Sequence, residues 1–359
     1  MMKRFLINFI VVLMMVAVFW ALQRVFMPKY ASEILEGGMI SEYYEDAHKN
    51  NILFIGDCEV YENISPITLW EKYGLTSYTR GSAQQLIWQS YYLLEEALEY
   101  EKPDVVVFNV LSMKYDTPQS EAYNRMSIDG MKLSQSKIDN IKASMMEEET
   151  LISYLFPLLR YHSRWSELKK EDFQYAFSEK RQVTVAGYLM HVEENAVTTI
   201  PEPKKLTDYQ FGEKSYEYLD KITKLCREND IELVLIKAPS LSPYWYEEWE
   251  AQMEAYAKEN DLQYYNFLEC QEEIGIDWET DTYDRGLHLN VKGAEKMADY
   301  FGQILVDNCT FTDYASLGDV QADWAQKVQY YEDMKADQYR EMEEYGYLKS
   351  YGGHPPDAQ

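Results

Sequence analysis

ILFIGD, residues 52–57, is a short apolar run that ends in Gly-Asp. A run of this kind is typical of a strand buried on both faces of a parallel sheet. We predict further strands at LTSYTR (75–80), DVVVFNVLSM (104–113), IELVLIKAP (231–239) and LQYYNFL (262–268). Helix patterns occur at 65–72, 84–100, 211–229, 246–260 and 291–306. Strands that alternate with helices predict a doubly wound, five-stranded parallel sheet between two helical layers.

Two regions fall outside this alternation. Residues 114–207 are interpreted as a helical insertion that covers one end of the sheet, with a strand expected at VTVAGYLM (183–190). Beyond residue 308, the large side chains of Trp324, Val328, Tyr331 and Met334 recur at helical spacing, which predicts a peripheral helix before a frayed tail, GGHPPDAQ (352–359). The predicted organisation is an anchor (1–29), an α/β domain (30–308) and a C-terminal helix with its tail (309–359).

The anchor is predicted from FLINFIVVLMMVAVFWAL, residues 5–22, which has no charged residue and a single polar one, Asn8. This length matches the hydrocarbon core of a bilayer. Lys3 and Arg4 precede the run and the chain turns acidic after it, which favours a cytoplasmic N-terminus and a main domain outside a cell membrane crossed once. A cleaved signal peptide is the alternative, although its apolar region is normally shorter.

Composition excludes several classes of protein. The apolar content of 46% and the charged content of 26% exclude a disordered chain. Acidic residues number 61 and basic residues 34, so the net charge of −27 repels phosphate backbones and argues against nucleic acid as a partner. The four cysteines show no CxxC spacing, so we expect neither a metal nor another cofactor. Whether Cys226, Cys270 and Cys309 form disulfides is left open.

Three polar segments follow predicted strands, where open α/β sheets place their active sites: FIGDCEVYENISP (54–66), RGSAQQ (80–85) and YDRGLHLNVKGAEK (283–296). Over about 51–306 the chain resembles the SGNH/GDSL hydrolase superfamily. The resemblance is to its membrane-anchored extracytoplasmic members, similar to the D-alanyl-lipoteichoic acid biosynthesis and alginate O-acetylation type proteins. It implies a three-layer, flavodoxin-like SGNH-hydrolase fold.

In that family a Gly-Asp-Ser block presents the nucleophile, and here the block reads Gly56-Asp57-Cys58. The resemblance implies that Cys58 replaces the serine as nucleophile, with a pKa lowered by a helix N-terminus and an imidazole. A retired active site is one alternative. A small buried hydrophobic residue is the other.

The family's other blocks imply the remaining site residues. The backbone N–H groups of Cys58 and Gly81 and the side chain of Asn109 would stabilise an oxyanion. His288 matches the base. The family's Asp-x-x-His places the orienting carboxylate three residues earlier, where this chain has Arg285, so Asp284 is the first candidate and Asp281 the second.

Substrate contacts are expected from Asp57 and from the loop after the fourth strand. Its rings Tyr244, Trp245 and Trp249 form a stacking wall for a glycan or merely pack the loop. Glu59 has no assigned role.

Together these observations predict an anchored, extracytoplasmic acyl-transfer or ester-hydrolysis protein with a Cys-His-Asp site. Its substrate would be a cell-envelope polysaccharide or teichoic-acid-like polymer, and the resemblance suggests a membrane-bound O-acyltransferase as partner. The alternative is a catalytically inactive binding or scaffolding module of an envelope-modification complex. A cysteine exposed in a cleft and bonded to His288 would favour the enzyme.

Overall fold

Five parallel strands form the centre of the computed structural model, which describes residues 2–27, 35–177, 182–200, 202–351 and 353. They are β1 (Ile52–Gly56), β2 (Ser77–Gly81), β3 (Val105–Asn109), β4 (Glu232–Lys237) and β5 (Gln263–Asn266). The sheet order is β2-β1-β3-β4-β5, and each neighbouring pair is parallel. This is the doubly wound, flavodoxin-like order, so the predicted fold class is confirmed.

The helices follow in chain order. They are α1 (Met2–Phe26), α2 (Leu35–Glu42), α3 (Cys58–Asn63), α4 (Pro66–Tyr73), α5 (Ile87–Ala97), α6 (Glu121–Ile128), α7 (Gln135–Ser144), α8 (Leu151–Leu155), α9 (Pro157–Tyr161), α10 (Lys170–Phe177), α11 (Glu213–Glu228), α12 (Glu247–Glu259), α13 (Gln271–Ile274), α14 (Val291–Asn308) and α15 (Gly318–Tyr345). Short 3₁₀ helices occur at Tyr43–Glu45, Val110–Lys114, His162–Ser166 and Lys349–Tyr351.

Alternating strand residues face the two helical layers because successive side chains point to opposite faces of a sheet. Leu53 and Ile55 of β1 pack in the layer of α5, α11 and α12. Ile52 and Phe54 pack with α3, α4 and α14 on the other face. Every residue of β1 is buried, which agrees with the uninterrupted apolar sequence of this strand.

Two expectations about strands are corrected. The third strand ends at Asn109, and the rest of the predicted run, VLSM (110–113), lies in a 3₁₀ helix that ends at Lys114. Residues 183–190 are not a strand: a single bridge joins Val185 and Tyr188 across a turn. Ala186 and Gly187 have φ angles of 50° and 81°, which are incompatible with extended backbone.

The segment 182–197, called the rim segment below, nevertheless binds the sheet edge. Its Ala186 carbonyl accepts a hydrogen bond of 2.9 Å from the N–H of Thr79 in β2. Leu189 donates to the carbonyl of Tyr61 at 2.8 Å, and Asn195 donates to that of Thr282 at 2.9 Å. The rim segment therefore links β2, α3 and the loop that carries His288.

Two further helices, α1 and α15, lie outside the alternation of strands and helices. α1 is long and apolar enough to cross a membrane. α15 packs on α4, with the rings of Trp324 and Trp70 stacked at 5.1 Å. The tail predicted at 352–359 lies outside the described residues except for Gly353, and the 28–34 linker also lies outside them.

Candidate active site

Cys58 lies where β1 gives way to α3. Asp57 caps this helix, because its Oδ1 accepts a hydrogen bond from the N–H of Glu59 at 3.2 Å. Gly56 makes the sharp change of direction possible: its φ is 152°, and a Cβ there would lie 2.6 Å from Val60 Cγ2. The strand-to-helix turn thus brings the thiol to the carboxyl edge of the sheet, beside His288.

His288 is held by Asp284 through two contacts. Its Nδ1 lies 2.6 Å from Asp284 Oδ2, and its backbone N–H donates to Asp284 Oδ1 at 2.8 Å. Arg285 and Gly286 adopt positive φ angles of 65° and 88°, so the loop bulges and lets a carboxylate four residues back reach the ring. Asp281 does not contact His288: it accepts hydrogen bonds from Lys296 at 2.6 Å and from the N–H of Asp277 at 2.8 Å.

A second carboxylate, missed in the sequence, faces the same ring. Glu62 Oε2 lies 3.2 Å from His288 Nδ1, and the Tyr283 hydroxyl donates to Glu62 while lying 3.3 Å from that nitrogen. The Tyr283 ring also stacks on His191 of the rim segment, at 3.9 Å and 8°. Its spacing could have identified Glu62 in the sequence, because it follows Cys58 by four residues and therefore lies on the same face of the helix.

The protonation of the Cys58–His288 pair is set by opposing effects. Burial raises the pKa of the Cys58 thiol to about 11, although His288 works in the opposite direction. Burial lowers the pKa of His288, but Glu62, Cys58 and Asp284 outweigh it and raise that pKa well above its usual 6.5. The pKa of the Cys58 thiol is therefore raised by burial, whereas the sequence led us to expect a lowered value. Because Cys58 and His288 each contribute to the pKa shift of the other, the two groups titrate as a coupled pair.

His288 Nε2 is buried without a well-formed hydrogen bond within the described part of the chain. Cys58 and His288 lie close enough for hydrogen bonding to influence both pKa values. Because Nδ1 is already held by the carboxylates, Nε2 is the atom free to exchange a proton with the thiol or a bound substrate.

Asn109 is fully engaged behind the turn. Its side-chain N–H groups donate to Asp57 Oδ1 and Glu59 Oε2, both at 3.0 Å, and its Oδ1 accepts from the N–H of Ala238 at 3.0 Å. The amide therefore has no spare donor for an oxyanion in this arrangement. Of the other predicted donors, Gly81 pairs with Gly56 in the sheet, directly beside the turn to Cys58.

Glu59 belongs to a buried ion pair with Lys237, the last residue of β4. The two side chains are 1% and 0% exposed, and the Lys237 ammonium lies 3.0 and 2.9 Å from the two carboxylate oxygens. Ser240 completes the group by donating to Glu59 and lying 3.0 Å from Lys237. This pair fixes the helix that carries Cys58 against the end of β4.

The predicted substrate contacts are mostly turned inward. Trp245 and Trp249 are only 7% and 8% exposed and pack near Phe211, with ring centroids 6.2 and 5.8 Å away. The structure therefore does not support a stacking wall made by these two rings, whereas Tyr244 is 42% exposed. Asp57 is also buried, and burial and Glu59 raise its pKa to about 6.

None of the four cysteines forms a disulfide: Cys58, Cys226, Cys270 and Cys309 are all free thiols. The pairing between Cys226 and Cys270 that the sequence left open is not formed. The four thiols can thus be examined individually by alkylation.

Comparison with known proteins yields only distant likenesses. No protein-family model matches the chain, and no curated protein matches it. Solved structures similar to it include a protein assigned as an acylhydrolase from Bacteroides fragilis (12% identity, TM-score 0.35, covering 73% of this chain and 89% of that one). Others are a GDSL-like lipase from Bacteroides thetaiotaomicron (12%, 0.34, 74% and 94%) and a protein assigned as a lipolytic protein of the G-D-S-L family from Desulfitobacterium hafniense (13%, 0.34, 71% and 100%). Likeness at this level is too weak to assign a family or an activity.

Proposed function

We propose that this protein is a membrane-anchored, extracytoplasmic member of the SGNH/GDSL hydrolase superfamily that transfers or hydrolyses acyl esters through Cys58, His288 and Asp284. The observation that carries the proposal is the arrangement of His288. Its Nδ1 is held 2.6 Å from Asp284, its ring lies beside Cys58 at the end of β1, and its buried Nε2 has no well-formed hydrogen bond among the described residues. A nucleophile, a base and an orienting carboxylate are the elements of nucleophilic acyl transfer.

The reactive form in this proposal is a thiolate beside an imidazolium. The Cys58 sulfur attacks the ester carbonyl, an S–C bond forms, and the C–O bond to the leaving alcohol breaks. His288 Nε2 gives its proton to the departing oxygen. Water or a sugar hydroxyl then attacks the thioester, returns a proton to Nε2 and releases the thiolate. The thiolate forms when the Cys58 thiol gives its proton to Nε2 of neutral His288. The raised pKa of His288 helps the ring to accept and hold that proton, whereas the raised pKa of Cys58 makes this transfer the demanding step.

The substrate we propose is a cell-envelope polysaccharide or teichoic-acid-like polymer, and the partner is a membrane-bound O-acyltransferase. Two features support this assignment. α1 is long and apolar enough to cross a membrane, and a domain anchored outside that membrane would lie next to the envelope polymers. The two-step chemistry also permits an acyl group received from a membrane enzyme to pass to a sugar hydroxyl.

Alkylation of Cys58 tests the site. The full-length protein in detergent would react with iodoacetamide between pH 6 and pH 11, with each cysteine followed by peptide mass spectrometry. We expect Cys58 to react faster as pH rises toward its raised pKa, and His288→Ala to slow it about tenfold or more at pH 8, because loss of the cation raises the thiol pKa by about one unit or more.

Cys270, also half-buried, serves as the control within the same molecule and should react alike in both variants. Equal alkylation rates of Cys58 in the unaltered protein and in His288→Ala would contradict the proposed Cys58–His288 pair.

Acyl transfer is then tested with p-nitrophenyl acetate and with acetylated glycans. The proposal expects one acetyl group on Cys58 by mass spectrometry, absent in Cys58→Ala, and release or transfer of acetate from the glycan. Cys58→Ser should form an oxygen ester in place of the thioester, which distinguishes a nucleophile from a bystander. Absence of an acyl adduct in every variant would contradict the enzymatic function.

A second candidate, a catalytically inactive binding or scaffolding module, is favoured by two observations. The thiol pKa is raised to about 11 and the Asn109 amide is fully used, as expected of a site that no longer stabilises an oxyanion. This candidate predicts that Cys58→Ala binds the envelope polymer as tightly as the unaltered protein. Parallel loss of binding and acylation in that variant would exclude it.

A further inference from the structure

Six large apolar side chains are exposed on α8, α9, α10 and the 3₁₀ helix between them. This apolar platform consists of Ile152 (57% exposed), Phe156 (42%), Leu159 (53%), Trp165 (73%), Phe173 (49%) and Phe177 (59%). Single exposed apolar residues are common, but six within one segment of short helices, of which α9, α10 and the 3₁₀ helix pack beside the apolar helix α1, mark a surface that another apolar phase covers.

The platform lies against the C-terminal part of α1. The rings of Phe19 and Phe156 are 5.8 Å apart. The side chain of Gln23 accepts a hydrogen bond of 2.7 Å from the N–H of Leu158, and Arg164 donates to the carbonyl of Phe26 at 2.8 Å. These contacts fix the platform beside the last two turns of α1.

Helix geometry gives the depth of these contacts. The uncharged run ends at Leu22, and Phe19 precedes it by three residues, or about 5 Å at a rise of 1.5 Å per residue. With α1 across a bilayer, Phe156 therefore lies close to the boundary between acyl chains and headgroups. Amphipathic interfacial helices bury their apolar faces about 5–10 Å into this boundary.

Charge also fits a lipid surface. Residues 151–177, which carry the platform, contain four basic residues and three acidic ones and so have a net charge of +1, whereas the whole chain has a net charge of −27. Basic groups beside a membrane helix are attracted to anionic headgroups, at about 1 kcal/mol for each Lys or Arg near the surface. A lipid surface thus complements the platform in polarity, and the platform lacks the strong negative charge of the rest of the chain.

We propose that the apolar platform is embedded in the interface of the bilayer that α1 crosses, so that the α/β domain is held against the membrane at two places. This inference rests on the membrane anchor of the proposed function and goes beyond it by assigning a second lipid contact. The consequence is a fixed orientation of the domain relative to the bilayer, in place of a domain tethered at a single point.

Quenching by brominated lipids tests the proposal. The full-length protein would be reconstituted into vesicles of phosphatidylcholine and phosphatidylglycerol, with and without dibrominated phosphatidylcholine. Trp165 emission is obtained as the difference between the unaltered protein and Trp165→Phe. We expect this difference to fall about twofold or more in brominated vesicles, because an interfacial ring lies within reach of the acyl-chain bromines.

Two matched variants separate the possible outcomes. Trp20→Phe reports on α1, and Trp324→Phe reports on a ring that is 2% exposed under α15. Quenching of Trp20 and Trp165 but not of Trp324 supports the proposal. Quenching of Trp20 alone overturns the lipid contact and leaves the anchor in place, and the platform would then be free to bind a protein. Absence of quenching at both Trp20 and Trp165 overturns the anchor and the platform together.

Discussion

Glu62 Oε2 lies 3.2 Å from His288 Nδ1, the same imidazole nitrogen that Asp284 Oδ2 contacts at 2.6 Å. The ring therefore faces two carboxylates, one from the helix that begins at Cys58 and one from its own loop. Both are largely shielded from water, so their attraction for a proton on the ring is weakly screened. The arrangement stabilises an imidazolium and links the charge of His288 to the helix of the predicted nucleophile.

Glu62→Gln is expected to lower the pKa of His288 by about one unit or more, because the largest raising influence on that ring is the charge of Glu62. Histidine NMR titration of the full-length protein in detergent measures this pKa, with the signal assigned from His288→Ala. Glu193→Gln is the matched control, because Glu193 contacts His191 at 3.2 Å. An unchanged pKa in Glu62→Gln would show that Asp284 alone holds the proton.

Asp57→Asn is expected to change how stability depends on pH. The pKa of Asp57 is raised from 3.8 to about 6, so the folded protein binds the proton more tightly than the unfolded chain. This group therefore stabilises the fold as pH falls from above 6 toward 4, by up to about 3 kcal/mol. The variant removes that dependence while keeping the capping oxygen, and its melting temperature should exceed that of the unaltered protein more at pH 7.5 than at pH 5.

The control for Asp57 is Asp208→Asn, an exposed aspartate that accepts a hydrogen bond of 2.9 Å from the N–H of Gln210. Its melting temperature should follow that of the unaltered protein at both pH values. If both variants shift equally, the effect is one of net charge and the buried carboxylate is not its source.

The sheet was predictable because its strands are buried on both faces and read as continuous apolar runs. Residues 183–190 show the limit of this reasoning: VTVAGYLM has the composition of a strand, yet Gly187 turns it back on itself against Thr79. Sequence pattern reports which side chains are buried. It does not report which backbone groups find partners in a distant strand.

The site was predictable to the extent that its residues lie in short segments with fixed spacing. Cys58, Asp284 and His288 fall in such segments. Glu62 and Tyr283 lie in the same two segments, but the contact between Glu62 and His288 is a tertiary one, because the two residues are 226 positions apart in the sequence. Lys237 lies outside these segments and reaches Glu59 only through the fold. The raised pKa of Cys58 likewise depends on burial, which the sequence around residue 58 does not reveal.

Lys237→Met is expected to destabilise the fold by about 3–5 kcal/mol, because it leaves the buried carboxylate of Glu59 without its counter-charge. Glu59→Gln should destabilise the fold by a similar amount, because it leaves the buried ammonium of Lys237 without its counter-charge. The double variant removes both charges and should lose less stability than the two single variants combined. Thermal melting of the three variants in detergent measures this coupling, and strictly additive losses would contradict it.

Gly187→Ala is expected to detach the rim segment from β2. At Gly187 φ is 81°, and an added Cβ would lie 2.0 Å from the carbonyl oxygen of Thr79, which is fixed in the sheet. Gly275→Ala is the matched control, since its φ of 77° imposes the same backbone strain while nothing lies within 4 Å of the new Cβ. Backbone strain alone should lower the free energy of unfolding of Gly275→Ala by about 1–2 kcal/mol. Gly187→Ala should lower it further, because the new Cβ also clashes with Thr79. Melting temperature and the rate of proteolysis within 182–197 measure the difference. The rim segment also carries His191 against Tyr283, so its detachment should shift the His288 signal in the NMR titration. Equal melting temperatures and equal proteolysis rates of the two variants would mean that the segment is not anchored at Thr79.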